Sequence, residues 1–114
     1  MTREPAAIVQ EYFARVRAGD REVAELFGEH ATIRGLGMSV SGRANIRVFY
    51  DETMDEKRPD PELLHPLTVD GKRVIAELRI AVADGPPVHV LDLFEIEQGQ
   101  ILRLTYFMAS YPSP

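Results

Sequence analysis

The hydrophobic period of this chain changes once, from helical to alternating, and that change limits the possible folds more than any other feature. Apolar residues three or four positions apart lie on one side of a helix, whereas those two apart lie on one face of a strand. Pro5 is placed to open a first helix, because the N–H it lacks would have no partner in the first turn. Ile8, Val9, Tyr12, Phe13 and Val16 follow at helical spacing, and Gly19 supplies the stop. Asp20 reads as the N-cap of a second short helix carrying Val23, Leu26 and Phe27, which Gly28 ends. Ala31, Ile33 and Gly35 alternate with His30, Thr32 and Arg34 as in a short strand. Ser41-Gly42 precedes a third helix with Ile46, Phe49, Tyr50 and Met54 on one side, and Lys57 to Pro61 is a polar, proline-broken loop.

Strands follow. Leu63 to Val69 is the first, ended by the two-residue turn signal Asp70-Gly71. Val74, Ala76, Leu78, Ile80 and Val82 share one face of the next strand, with Glu77 and Arg79 on the other. After a turn from Ala83 to Pro87, a strand runs from Val88 to about Ile96. Glu97-Gln98-Gly99 reads as a three-residue hairpin loop, and the last strand runs from Gln100 to about Met108. Helices followed by a meander give a single α+β domain of 114 residues, its helices packed on one side of the sheet.

One polar residue interrupts the apolar face. A turn centred on Gly85 sets Leu78 opposite Asp92 and Ile80 opposite Val90, and the next loop sets Leu104 opposite Asp92 and Tyr106 opposite Val90. Asp92 then shares a face with Leu78, Ile80, Val82, Val88, Val90, Phe94 and Leu104. A carboxyl in such company loses hydration, which disfavours its charged form. Its alternatives are a loop anchor, a partner for an arginine from outside the sheet, or, after a one-residue slip, a solvated side chain. On the opposite face Glu97 would meet Arg73 and Leu91 would meet Arg79, as suits a partly wet surface.

Composition removes several classes of function. The net charge is -5 with acids and bases interspersed, so no basic stripe is available for nucleic acid. No cysteine occurs, which excludes disulfides and thiolate metal sites. The three histidines lack metal-ligand spacing: His30 flanks a strand, His65 reads as a surface residue in preference to a pocket base, and His89 points to the outer face. Gly35-Leu36-Gly37 looks superficially like a phosphate loop, but no helix starts at its end. No nucleophile motif and no cofactor motif is present. The N-terminus lacks a signal peptide's basic and apolar segments, and no apolar run approaches a membrane span, so a cytoplasmic location without membrane partners is the expectation.

The blocks Ile8-Val9-Gln10-Glu11-Tyr12-Phe13-Ala14, Ala18-Gly19-Asp20, Ala31-Thr32-Ile33, Ser41-Gly42, Ile46-Arg47-Val48-Phe49-Tyr50 and Val90-Leu91-Asp92-Leu93-Phe94 stand in the order found in one group of proteins. Together they resemble ketosteroid isomerases and the wider polyketide cyclase-like (SnoaL-like) and nuclear transport factor 2-like domains, over nearly the whole chain. The resemblance implies a cystatin-like cone, an α+β barrel in which three N-terminal helices pack on a curved mixed or antiparallel sheet around a pocket. It also implies a homodimer formed through the outer sheet face.

The same resemblance implies site residues. Tyr12 and Asp92 match the tyrosine and the protonated aspartic acid of the isomerase oxyanion hole, an arrangement known for keeping a carboxyl neutral at pH 7. Tyr50 matches a further tyrosine supporting the first hydroxyl. The isomerase base, an aspartate after the first strand, falls here at Gly35, which has no group to accept a proton. Arg34 beside it points to the other face and stays protonated. The pairing set out above, together with the family's base position at Gly35, makes Leu78, Ile80, Val90, Phe94, Leu104, Tyr106 and Gly35 the expected substrate-contacting positions, with Tyr106 either a third donor or packing. Epoxide hydrolysis, another chemistry of this fold, needs an acidic pair around an arginine, and only Asp92 offers itself.

Three functions fit: an isomerase- or cyclase-type enzyme acting on an apolar carbonyl compound without a cofactor, a non-catalytic binder of a small hydrophobic ligand, or a dimerisation module using the face of Leu91, Leu93, His89, Glu95 and Arg79. Gly35→Asp is the substitution that separates the first two on sequence grounds. Tyr111-Pro112-Ser113-Pro114 is placed either to fray or to close the pocket mouth.

Overall fold

Helix α1 (Pro5–Arg17) starts at Pro5 and buries Ile8, Val9, Tyr12, Phe13 and Val16. Gly19, with φ +69°, reverses the chain so that its N–H donates to the Val16 carbonyl at 3.0 Å and the Asp20 N–H donates to Arg15 at 2.9 Å. Those carbonyls have no partner within the helix, so the reversal satisfies them. The structure, a computed structural model, describes residues 3–110, and the terminal Tyr111–Pro114 segment lies outside the described residues.

The second helix is a 3-10 segment, Arg21–Leu26, and the Asp20 carboxylate accepts from the Glu22 N–H at 2.9 Å. Phe27 already belongs to strand β1 (Phe27–Gly35), so Gly28 lies inside that strand and ends no helix. Strand β2 (Met38–Ser41) follows, unannounced by its four-residue sequence. Helix α2 (Arg43–Glu56) buries Ile46, Tyr50 and Met54. Among the described residues, two α-helices and one 3-10 segment therefore replace the three helices expected.

The remaining strands are β3 (Asp60–Leu63), β4 (Thr68–Asp70), β5 (Arg73–Ala81), β6 (Val88–Glu97) and β7 (Gln100–Ser110). They extend a curved sheet in the order β2-β1-β7-β6-β5-β3, with β4 also on β5. Among the described residues only the β1–β7 pair is parallel, which makes the sheet mixed. The strand expected from Leu63 to Val69 is split, and β3 begins inside the stretch read as a loop. Leu64 still donates to the Glu77 carbonyl at 3.0 Å, but Pro66 has no N–H with which to continue a ladder.

Both hairpin registers differ from the sequence expectation by two residues. Asp92 stands opposite Ala76 and Tyr106, not Leu78 and Leu104, while Val90 stands opposite Leu78 and Met108. Arg73 accordingly meets Glu95, and Leu91 meets Glu77. The β5–β6 connection is centred one residue earlier than assumed, and the β6–β7 loop is shorter and is followed by an irregularity between Glu95 and Ile96. An even displacement leaves every side chain on its face. The apolar face and its aspartate therefore keep their orientation.

That shorter loop contains only Gln98 and Gly99, since Glu97 pairs with Gln100. Their φ values of +50° and +77° identify a type I′ turn, in which the first position favours asparagine over glutamine. Gln98→Asn is expected to raise stability by about 0.5–1 kcal/mol by relieving left-handed strain. Chemical denaturation measures this, and an unchanged or lower midpoint would refute the strain argument.

The core lies between α1, α2 and the concave sheet face. Phe13, Phe27 and Phe94 are fully buried, and each contributes roughly 1.5–3 kcal/mol through the apolar surface it removes from water. The Tyr12 ring meets Phe13 and Phe94 edge-on, with centroids 5.0 and 5.1 Å apart. This fixes the phenol before any ligand arrives. Among the described residues, no helix is long and apolar enough to cross a membrane.

Candidate functional site

Three phenolic hydroxyls converge between the helices and the sheet. Tyr12 comes from α1, Tyr50 from α2 and Tyr106 from β7. The Tyr12 and Tyr50 oxygens lie 2.7 Å apart, and each lies 3.4 Å from the Tyr106 oxygen. Burial pushes all three phenols well above their ordinary pKa, and neighbouring phenol and carboxyl charge adds to the effect on Tyr12. They are neutral at pH 7 and available as donors.

Asp92, directly across the ladder from Tyr106, completes this end of the cavity. Its side chain is on an otherwise apolar face, and the residue is only 1% exposed. Desolvation alone holds its carboxyl well above the usual range, favouring the protonated form. Oδ1 is buried without a hydrogen-bond partner. Leaving such an atom unsatisfied costs about 1–3 kcal/mol, a cost that a ligand group at this position would remove.

From these four side chains a cavity of about 340 Å³ extends toward solvent. That lies near the lower end of the roughly 300–1,000 Å³ typical of small-molecule sites. Phe13, Val16, Met38, Phe49, Ile80 and Val90 supply apolar wall, and Lys57, Pro59 and Pro61 belong to the lining as well. Leu36 also lines it, at 53% exposure and with φ +54°, a conformation that favours asparagine or glycine over leucine.

The structure brings Tyr12, Tyr50, Asp92, Tyr106, Ile80 and Val90 into this lining. It does not bring Leu78, Phe94 or Leu104 there, because their side chains are wholly buried in the core behind it. Gly35 is also outside the lining. A Cβ at Gly35 would sit 2.2 Å from the Tyr106 carbonyl oxygen, and φ is +121°. No side-chain base fits there, and Gly35→Asp would test folding rather than chemistry.

Sequence reading missed Leu36, Met38, Thr53 and Lys57. Thr53 and Lys57 had a legible signal: they stand three and seven residues after Tyr50, on the same helical stripe. Leu36 and Met38 had none, because β2 was not foreseen. The histidines lie elsewhere. His30 is exposed, His65 is 3.4 Å from Glu77, and His89 is 2.6 Å from the same carboxylate on the outer sheet face. Among the described residues, no group of three or more histidine and acidic side chains is arranged to hold a metal.

Known structures share this arrangement of elements. A candidate polyketide cyclase from Sinorhizobium meliloti is 25% identical, with a TM-score of 0.81 over 89% of this chain and 94% of its own. A candidate ketosteroid isomerase from Kribbella flavida is 19% identical, with a TM-score of 0.83 over 96% of this chain and 81% of its own. An LEH-like epoxide hydrolase from M. tuberculosis is 16% identical, with a TM-score of 0.81 over 91% of this chain and 81% of its own. The latter two likenesses concern the fold alone. No curated protein matches the sequence. The family model for the SnoaL-like domain matches residues 9–104, and the chain belongs to that family.

Proposed function

We propose that the cavity receives an apolar carbonyl compound, and that Tyr12 and Asp92 donate hydrogen bonds to its oxygen and stabilise enolate-like charge developing there. The observation that carries this reading is the unpartnered, buried Asp92 carboxyl beside three neutral phenols. Tyr50 and Tyr106 orient the Tyr12 hydroxyl, and the apolar wall lowers the local dielectric so that each donor acts strongly. Donors of this kind typically supply about 3–4 kcal/mol of transition-state stabilisation.

The proton acceptor is the weak point of an isomerisation. Gly35 offers none, and the three phenols among the described lining residues, their pKa values raised by burial, keep their protons at neutral pH. Enolisation in this pocket would need an acceptor carried by the substrate or water. A second reading, binding without turnover, is favoured by the same observation.

Binding of 2-naphthol, a planar mimic of a dienolate, tests the shared core of both readings. Calorimetry is expected to show binding that Tyr12→Phe weakens by about tenfold or more, because a hydrogen bond to charge-bearing oxygen is lost. With any ketone that turns over, the same change should lower kcat by about 10²–10³. A pocket indifferent to naphthol, with no rise in melting temperature at saturating ligand, would leave only the dimerisation reading standing.

A further inference from the structure

Helix α2 sends more than Tyr50 into the cavity. Phe49, Tyr50, Thr53 and Lys57 all line it, one stripe running from the hydroxyl cluster to the mouth. Tyr50 is buried at the closed end and Lys57 is exposed at the C-cap, just past Glu56. Seven residues at 1.5 Å each separate their backbones by about 10 Å along the helix axis. The two ends of the stripe therefore differ in character. One presents neutral hydroxyls and a carboxyl, and the other an ammonium.

Lys57 is, among the described residues, the only basic side chain in the lining. Among the described residues no carboxylate lies within ion-pair distance of its ammonium; Arg17, Arg34, Arg43, Arg58, Arg73 and Arg79 also lack an acidic partner, but none of them lines the cavity. Thr53, one turn nearer the hydroxyls, has a half-buried side chain with no hydrogen-bond partner among the described residues. The backbone around Lys57 is held: its carbonyl accepts from Ala83 at 2.8 Å, and its N–H donates to Thr53 at 2.8 Å. The stem of the side chain thus starts from a fixed point beside the cavity, and its ammonium has no acidic partner among the described residues.

We infer that the ligand is two-ended, an apolar carbonyl compound carrying an anionic substituent, with its oxygen at the Tyr12–Asp92 end and its anionic group at Lys57 and Thr53. This rests on the reading of the pocket given above and adds the far end of the ligand to it. A simple hydrocarbon ketone would leave Lys57 and Thr53 without a partner. A carboxylate would engage both, at a place where apolar wall on the other sides limits screening by water.

Three probes of one ring system test this: 2-naphthol, 6-hydroxy-2-naphthoic acid and its uncharged amide. In the unmodified protein the acid is expected to bind about fivefold more tightly than the amide, the upper range for a partly exposed ion pair. Lys57→Gln should bring that ratio to about one, Lys57→Glu should invert it, and 1 M salt should shrink it in the unmodified protein. Melting temperatures of both variants show whether they are folded, as their exposed position predicts. If naphthol binds but the acid and amide are equal, or if the preference survives in Lys57→Gln, the two-ended ligand is wrong while the pocket reading stands. If none of the three probes binds, both fall.

Discussion

Gly35→Ala should destabilise the fold by about 3–5 kcal/mol, a loss of at least roughly 12 °C in melting temperature. Two independent costs add. At φ +121° any L-residue is strained by about 1–3 kcal/mol, and the new methyl group would overlap the Tyr106 backbone, with contacts of 2.2 Å to oxygen, 2.9 Å to nitrogen and 3.0 Å to carbon. Backbone cannot swing aside as a side chain can, because Gly35 and Tyr106 are partners in the one parallel ladder of the sheet. Gly28→Ala, in the same strand, is the control. Its methyl would meet Gln100 at 3.6 Å and Ile101 at 3.8 Å, ordinary contacts, so its change should stay below about 1 kcal/mol. Equal melting temperatures for the two variants would show that the sheet yields at the Gly35–Tyr106 pair. The functional corollary is direct: an acid introduced at this position cannot report on catalysis, because Tyr106, a member of the hydroxyl cluster, would be displaced with it.

Asp92→Asn should change the dependence of stability on pH more than any other single substitution in the pocket. Burial raises the Asp92 pKa in the folded state above the ordinary 3.8 of the unfolded chain. The folded protein then binds more protons than the unfolded one between those two values, so stability is fully present below the unfolded pKa and falls as pH rises through the window. The slope approaches about 1.4 kcal/mol per pH unit, and it ends at the raised folded value. Asparagine cannot titrate, so the variant lacks this decline. Unmodified protein and variant should be closest near pH 4, with the variant gaining relative stability toward pH 7. Glu11 and Asp55, whose pKa values are lowered chiefly by hydrogen bonds to Arg3 and Arg21, contribute the opposite slope to both proteins and cancel in the comparison. Urea denaturation at several pH values measures the difference. Parallel curves would mean that Asp92 is ionised in the folded protein, and its role as a donor would fall with that result.

Reading the sequence located the aspartate's face correctly from a register that was wrong. Face depends on whether a residue is odd or even along its strand, and both misjudged turns moved the pairing by two. Opposition is less forgiving. The same error hid the fact that Tyr106 faces Asp92 directly, and so understated its place in the site. Helix α1 was legible to its last turn because Pro5 and Gly19 both have specific conformational reasons to be where they are. β2 was not, because Met38 to Ser41 is too short for a period to show, and the split of β3 from β4 depends on tertiary pairing with β5. The wall residues Leu78, Phe94 and Leu104 were assigned to the ligand because a concave sheet face gives no sequence sign of where core ends and cavity begins.

The two borders of the sheet are closed to further strands by small devices already present in the chain. On β3, Pro61 has no N–H to offer, and its carbonyl accepts from the Arg17 guanidinium at 3.1 Å. On β2, only four residues long, the Ser41 carbonyl is occupied by the Asn45 amide at 2.9 Å. A passing extended peptide finds little free ladder at either border, which protects the fold from fibrous stacking. The broad outer face of the sheet, where Leu91, Leu93 and half-exposed Phe107 lie, is left as the surface turned away from the cavity.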